Sequence, residues 1–138
     1  MTPQTIDFDA LLQKSSDELF DDIGHLTAES YKDGSADEVL GISLGSFRDL
    51  GSAIFNRLHR EVHSLICGNE AKSEDERNEL KKILSLDAPA MCSALTGVLI
   101  YYFAVSLPIA SLVAVLIVKY AVVPATEEVC SFWGKQLG

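Results

Sequence analysis

The sequence of 138 residues contains little cysteine, and the pattern of its cysteines excludes one class of small protein. There are three, with no CxxC pair, and the chain does not begin with a basic segment followed by an apolar one. Small secreted domains that depend on disulfides usually carry an even number of cysteines at close spacing. We therefore expect no disulfide scaffold and a reducing, cytoplasmic location.

Positive charge is also scarce. The chain has eleven Lys and Arg against twenty Asp and Glu, a net charge of −9. An acidic surface repels phosphates, so nucleic-acid binding is disfavoured. The imbalance is confined to one part of the chain, because residues 1–87 hold nine basic and eighteen acidic side chains whereas residues 88–138 hold two of each.

Motifs of nucleotide and calcium sites are missing. Gly41, Gly45 and Gly51 do not have the spacing of a phosphate-binding loop. The segment from Asp33 lacks the glycine and the glutamate that an EF-hand calcium loop has at its sixth and twelfth positions. We therefore expect a protein that is not an enzyme and that binds no cofactor.

The sequence does contain one long run without charge, at residues 88–118. Pro108 divides this run, because a proline inside a helix removes a hydrogen bond and clashes with the preceding turn. The run is predicted to form two helices, about 88–105 and 108–122, with one kinked helix as the alternative. Asp87 is expected to cap the first of them.

Amphipathic helices are predicted on the N-terminal side of this run. Apolar residues recur at helical spacing in residues 5–14, 17–33, 46–67 and 74–86. Helix caps are expected at Ser16, Ser35, Ser73 and Thr126. We predict an all-α fold, a small helical bundle of five to seven helices with the apolar hairpin at its centre. The chain is expected to be one domain in three parts, residues 1–87, 88–123 and 124–138.

The uncharged run also fits a membrane span. A helix over residues 97–118 would be about 33 Å long, enough to cross a bilayer. Tyr101 and Tyr102 near one end and Lys119 and Tyr120 at the other resemble the aromatic and basic residues found at membrane interfaces. The soluble bundle is favoured because the amphipathic helices need an apolar partner.

Two histidines one helical turn apart, His59 and His63, are candidate metal ligands, with Cys67 one turn further on. Their order is HxExH rather than the HExxH of zinc proteases. Three ligands one turn apart span about 12 Å along a helix, so at most two can share an ion. The competing interpretation, which we favour, is a partly exposed polar helix face with two ordinary histidines.

The function that these observations favour is a non-enzymatic protein-interaction or adaptor module. Its protein partner is not identified by the sequence, and a second copy of the chain is one candidate. The residues expected to contact a partner are charged: Asp17, Glu18, Asp21, Asp22, Arg57 and Arg60. The alternative is a small membrane protein, with residues 1–87 as an acidic cytosolic domain and residues 88–123 anchoring in or perturbing a bilayer.

Overall fold

The computed structural model describes residues 7–29, 47–68, 74–125 and 128–137, and their regular structure is entirely helical. The predicted all-α fold, a small helical bundle, is therefore confirmed. The α-helices are α1 (Phe8–Leu12), α2 (Ser16–Glu29), α3 (Phe47–Cys67), α4 (Glu74–Lys82), α5 (Ala88–Phe103), α6 (Leu107–Ile117) and α7 (Val129–Gln136), with a 3₁₀ turn at Ile83–Ser85 and a π-helical turn at Val118–Val122.

The N-cap of α2 is Ser15 rather than the predicted Ser16. The Ser15 hydroxyl accepts a hydrogen bond from the Glu18 backbone N–H, and the Glu18 carboxylate accepts one from the Ser15 backbone N–H, both at 3.2 Å. This reciprocal arrangement needs a glutamate three residues after the serine. Glu18 has that spacing from Ser15 and not from Ser16.

The other helix boundaries fall within a few residues of the predictions. α3 matches the predicted 46–67 closely. α4 ends at Lys82, and a 3₁₀ turn covers the following residues, for which more α-helix was predicted. The predicted boundaries and caps at several positions lie outside the described residues: Thr5, Asp33, Ser35, Ser73 and Thr126.

The uncharged run forms two helices, as Pro108 predicts, and the alternative of one kinked helix is wrong. The Asp87 side chain caps α5 by accepting a hydrogen bond from the Ala90 backbone N–H at 3.1 Å. α5 ends at Phe103, and Ala104 turns the chain with a left-handed φ of 54°. Pro108 lies in the first turn of α6, where its missing N–H costs no helical hydrogen bond.

α6 is the most deeply buried helix in the described part of the chain. Every residue from Ala110 to Ile117 is buried, and the helix packs against α1, α2, α3 and α5. A helix buried on all sides must be apolar on all sides, which explains the absence of charge here. That α5 and α6 together form a hairpin at the centre of the bundle stays a prediction.

The described helices include none with both the length and the apolar character that a membrane crossing requires. Lys119, which the membrane interpretation placed at a bilayer interface, is half-buried and hydrogen-bonded to the backbone of another part of the chain. Its ammonium donates hydrogen bonds to the backbone carbonyls of Leu12, at 2.9 Å, and of Lys14, where it supplies positive charge at the C-terminal end of α1. The neighbouring Tyr120 ring stacks against Phe20 of α2, with 6.3 Å between the ring centroids.

Two glycines bring α2 and α3 into backbone contact. A Cβ atom at Gly24 would overlap the Phe47 carbonyl, and a Cβ atom at Gly51 would overlap the Phe20 carbonyl. Because the obstacle in both cases is backbone, it cannot move aside without separating the helices. Gly51 therefore serves helix packing. This role is consistent with the absence of a phosphate-binding motif around it.

Replacing Gly51 by alanine should lower the free energy of unfolding by about 3 kcal/mol, because the added methyl group overpacks a rigid contact. The matched control is Gly97→Ala in α5, where nothing lies within 4 Å of the position of a Cβ atom. That change should raise stability by about 1 kcal/mol, the difference in helix propensity. Urea unfolding followed by circular dichroism measures both, and equal stability of the two variants would contradict the close α2–α3 contact.

Candidate functional site

A cluster of buried rings joins the C-terminal helix α7 to α3, and we call it the α3–α7 contact. The Trp133 indole N–H donates a hydrogen bond to Nδ1 of His59 at 3.2 Å, and the His59 ring stacks on Phe55 at 4.3 Å between centroids. His59 is only 6% exposed and Trp133 is fully buried. The partly exposed polar face expected around the histidines is thus wrong for His59, which faces the core.

His59 is neutral in this contact. Its Nδ1 accepts a hydrogen bond and so carries no proton. Burial lowers its pKa from 6.5 to about 4, with smaller contributions in the same direction from Arg60 and His63. At neutral pH the imidazole is therefore a fixed acceptor for Trp133.

Further links hold α7 on α3. Cys67 and Cys130 form a disulfide across a sequence separation of 63 residues. Nε2 of His63 lies 3.1 Å from the Cys130 carbonyl oxygen, and the Arg60 guanidinium donates a hydrogen bond to the Leu137 carbonyl at 3.2 Å. The sequence predicts no disulfide scaffold and does not identify this single bond, because the long separation of the two cysteines in sequence gives no local signal of their contact.

The proposed metal site at His59 and His63 stays a prediction. His59 uses Nδ1 for Trp133, and His63 places Nε2 against a carbonyl oxygen. Cys67 offers no thiolate ligand because its sulfur is in the disulfide. Within the described residues, no group of three or more His, Cys, Asp or Glu is placed to share an ion.

The acidic residues predicted to contact a partner are partly engaged within the chain. Asp17 pairs with Arg48 at 3.4 Å, and Asp22 pairs with Lys14 at 2.8 Å. Glu18 accepts the hydrogen bond that caps α2. These contacts do not bury the carboxylates, but they offset part of the negative charge that a basic partner would recognise.

The predicted arginines do not join the acidic residues in one patch. Arg57 and Arg60 follow Arg48, the partner of Asp17, by nine and twelve residues on α3. At 1.5 Å per residue they lie about 14 and 18 Å further along the helix. Asp21 lies on α2 with the other acids and is half-buried. The six charged residues therefore occupy at least two separate places.

A different exposed surface runs along α5, and we call it the α5 face. Its residues recur every three or four positions, are all exposed and carry no charge: Ala90, Ser93, Gly97, Ile100, Tyr101 and Ala104. Tyr101 is 81% exposed. Near the middle of the face, Gly97 leaves a hollow that no neighbouring residue fills.

The exposed ring of Tyr101 contacts the ring of the tyrosine beside it. The two rings of Tyr101 and Tyr102 meet edge to face, with centroids 4.9 Å apart and an angle of 81°. Burial raises the pKa of Tyr102, and Glu76 of α4 raises it further by its charge and by accepting a hydrogen bond from the phenol. Tyr102 therefore lies close to Glu76 of α4, and the exposed Tyr101 ring lies beside it.

Acid should destabilise the protein through His59. Its pKa is 6.5 when unfolded and about 4 when folded, so between these values only the unfolded chain binds the proton. Neutral His59 contributes about 3 kcal/mol to the free energy of unfolding. This contribution is complete above pH 6.5 and is lost as the pH falls towards 4.

The test compares urea unfolding of the wild type with that of His59→Gln across this pH range. Glutamine can accept the Trp133 hydrogen bond and does not titrate, so the stability of the His59→Gln variant should vary less with pH. The control is His25→Gln, because His25 is exposed. A pH dependence in His59→Gln as steep as in the wild type would refute the role of His59.

Removing the disulfide should also destabilise the fold. Replacing both Cys67 and Cys130 by alanine should lower the free energy of unfolding by about 4 kcal/mol, the chain-entropy value for a loop of this length. Dithiothreitol should lower the free energy of unfolding of the wild type to a similar value and should not change that of the double variant. A wild type insensitive to dithiothreitol, with Ellman titration showing free thiols, would contradict this prediction.

No protein-family model matches the chain, and comparisons with curated proteins and with solved structures found no significant match. Function therefore has to be inferred from the chain's own residues. The α3–α7 contact and the α5 face are the two candidate functional regions.

Proposed function

We propose that the protein is a non-enzymatic helical interaction module that associates with a second copy of itself through the α5 face. The observation that carries this proposal is Tyr101, an aromatic ring 81% exposed on a helix face without charge. Tyrosine contributes a large, rigid contact area at low entropic cost, and it is common among residues that dominate binding energy.

The α5 face is complementary to itself. It carries a projecting ring at Tyr101 and a hollow at Gly97, four residues or about 6 Å away along the helix. Two antiparallel copies related by a two-fold axis near residue 99 would place each Tyr101 over the Gly97 of the other. Such an isologous contact satisfies both copies at once, as a closed dimer requires.

The distribution of charge supports a second copy as the partner. Residues 88–138 hold equal numbers of acidic and basic side chains, whereas residues 1–87 hold all the excess acid. Two copies therefore repel each other least when they meet through the neutral part. A contact limited to one sixteen-residue helix is small, so the dimer should be weak and reversible.

The charged residues predicted from the sequence support a partner site less well. Asp17 and Asp22 already pair with basic side chains, and Arg60 already binds a carbonyl of α7.

A cytoplasmic location stays part of the proposal. There, thiols would act on the Cys67–Cys130 disulfide, because that compartment keeps most cysteines reduced.

The experiment is sedimentation velocity over a series of concentrations reaching the millimolar range. The wild type should pass from monomer to dimer as concentration rises. Tyr101→Arg should remain monomeric, because the two added positive charges would lie in the same uncharged contact, only about 6 Å apart along the helix axis. Gly97→Leu should weaken the dimer by filling the hollow.

The matched control is Val123→Arg, since Val123 is 67% exposed and lies outside the α5 face. It should dimerise like the wild type. A wild type that stays monomeric throughout, or a Tyr101→Arg variant that dimerises equally well, would overturn the proposal. Flotation with phosphatidylcholine vesicles tests the membrane alternative, and Tyr101-dependent flotation of a monomer would decide in favour of lipid.

A further inference from the structure

A surface cleft lies beside the disulfide at the start of α7. Its volume is about 260 Å³. One wall comes from the end of α4 and the 3₁₀ turn, the other from the start of α7, and the lining residues are Lys81, Leu84, Ser85, Glu128, Val129 and Cys130. We call it the Cys130 cleft. Cys130 lines it and Cys67 does not, so a molecule entering the cleft meets only one half of the disulfide.

The charges of the cleft restrict what it can hold. Lys81 supplies an ammonium on the α4 side and Glu128 a carboxylate on the α7 side, both exposed, and Leu84 and Val129 add apolar lining. A small molecule carrying both a carboxylate and an ammonium would match this pair. Cys130 lines the same cleft, so a thiol group in such a molecule would be brought close to the disulfide.

We propose that the Cys130 cleft is a reaction site for small zwitterionic thiols, which open and re-form the Cys67–Cys130 disulfide by exchange at Cys130. The carboxylate of the thiol binds near Lys81 and its ammonium near Glu128. The class includes free cysteine and cysteine-containing peptides. Self-association through the α5 face is independent of this site, because no residue of that face lines the cleft.

Disulfide exchange at Cys130 takes place in two steps. The thiolate of a first thiol forms a bond to Sγ of Cys130, the bond between the two protein sulfurs breaks, and Cys67 leaves as a thiolate that takes a proton from water. A second thiol then attacks the mixed disulfide, so Cys130 leaves as a thiolate. Two small thiols are thereby oxidised to one disulfide, and the protein disulfide is reduced to two thiols.

The third cysteine does not compete for the reagent. Cys92 is fully buried in α5, and burial raises its pKa to about 12, with Asp9 adding to the effect. The thiol is therefore protonated at neutral pH, and thiols react as thiolates. Any adduct formed on the folded protein can be assigned to the disulfide pair.

The experiment measures the rate of disulfide opening by reduced glutathione and by neutral 2-mercaptoethanol, each corrected for its thiolate fraction. Iodoacetamide stops the reaction, and peptide mapping by mass spectrometry locates each modification. The early product should carry glutathione on Cys130 and the alkyl group on Cys67. The corrected rate for glutathione should exceed that for 2-mercaptoethanol by about fivefold, the factor that one solvated charge pair supplies.

Two neighbouring lysines give a matched pair of variants. Lys81→Glu should remove the preference for glutathione, because Lys81 lines the cleft. Lys82→Glu changes net charge equally, is also exposed and is not part of the lining, so it should keep the preference. Both variants should fold, which the emission of the buried Trp133 reports.

Several outcomes would overturn the proposal. One is glutathione on Cys67 rather than on Cys130, and another is an equal corrected rate for the two thiols. Equal effects of Lys81→Glu and Lys82→Glu would also refute it. If the protein is purified with free thiols, oxidised glutathione should first modify Cys130, and the Cys67–Cys130 disulfide should then form. A chain that forms no disulfide under these conditions would refute the reaction site at the Cys130 cleft.

Discussion

Burial of α6 is the constraint on which the arrangement of the other helices depends. Every side chain from Ala110 to Ile117 is removed from water, so the helix can carry no charge and must be covered by several neighbours. α5, α2, α1 and α3 supply that cover, and the close approach of α2 and α3 at Gly24 and Gly51 presents those two helices together as one surface. α5 supplies cover from its own buried face and leaves the opposite face exposed.

The fold could be predicted largely because its signals are local. The proline at 108, the aspartate at 87 and the helical spacing of apolar residues each act within one or two turns of chain. The cap of α2 was misplaced by one residue because Ser15 and Ser16 are adjacent, and only the spacing to Glu18 separates them. Element types follow from such patterns more readily than exact ends do.

The candidate sites could not be predicted in the same way, because their signals are not local. The partners in the α3–α7 contact are more than sixty residues apart, so neither the burial of His59 nor the Cys67–Cys130 bond has a sequence signature.

The α5 face could not be predicted for a different reason. All residues from 88 to 118 are uncharged, so composition does not distinguish the exposed side of α5 from its buried side. The mixture of small residues and tyrosines was visible in the sequence, but it fits lipid and protein contacts equally.

The Cys67–Cys130 bond closes a covalent ring in the chain, in addition to holding α7 on α3. The ring contains α4, α5 and α6, whereas α1, α2 and nearly all of α3 lie outside it. A single backbone cut between residues 68 and 129 would therefore leave both fragments in one covalent species, and the buried α6 would stay attached to the rest. A cut on the N-terminal side of Cys67 would instead separate the acidic helices from the ring, held to it only by non-covalent packing. The same protease could thus produce two different kinds of molecule, depending on which side of one cysteine it cleaves.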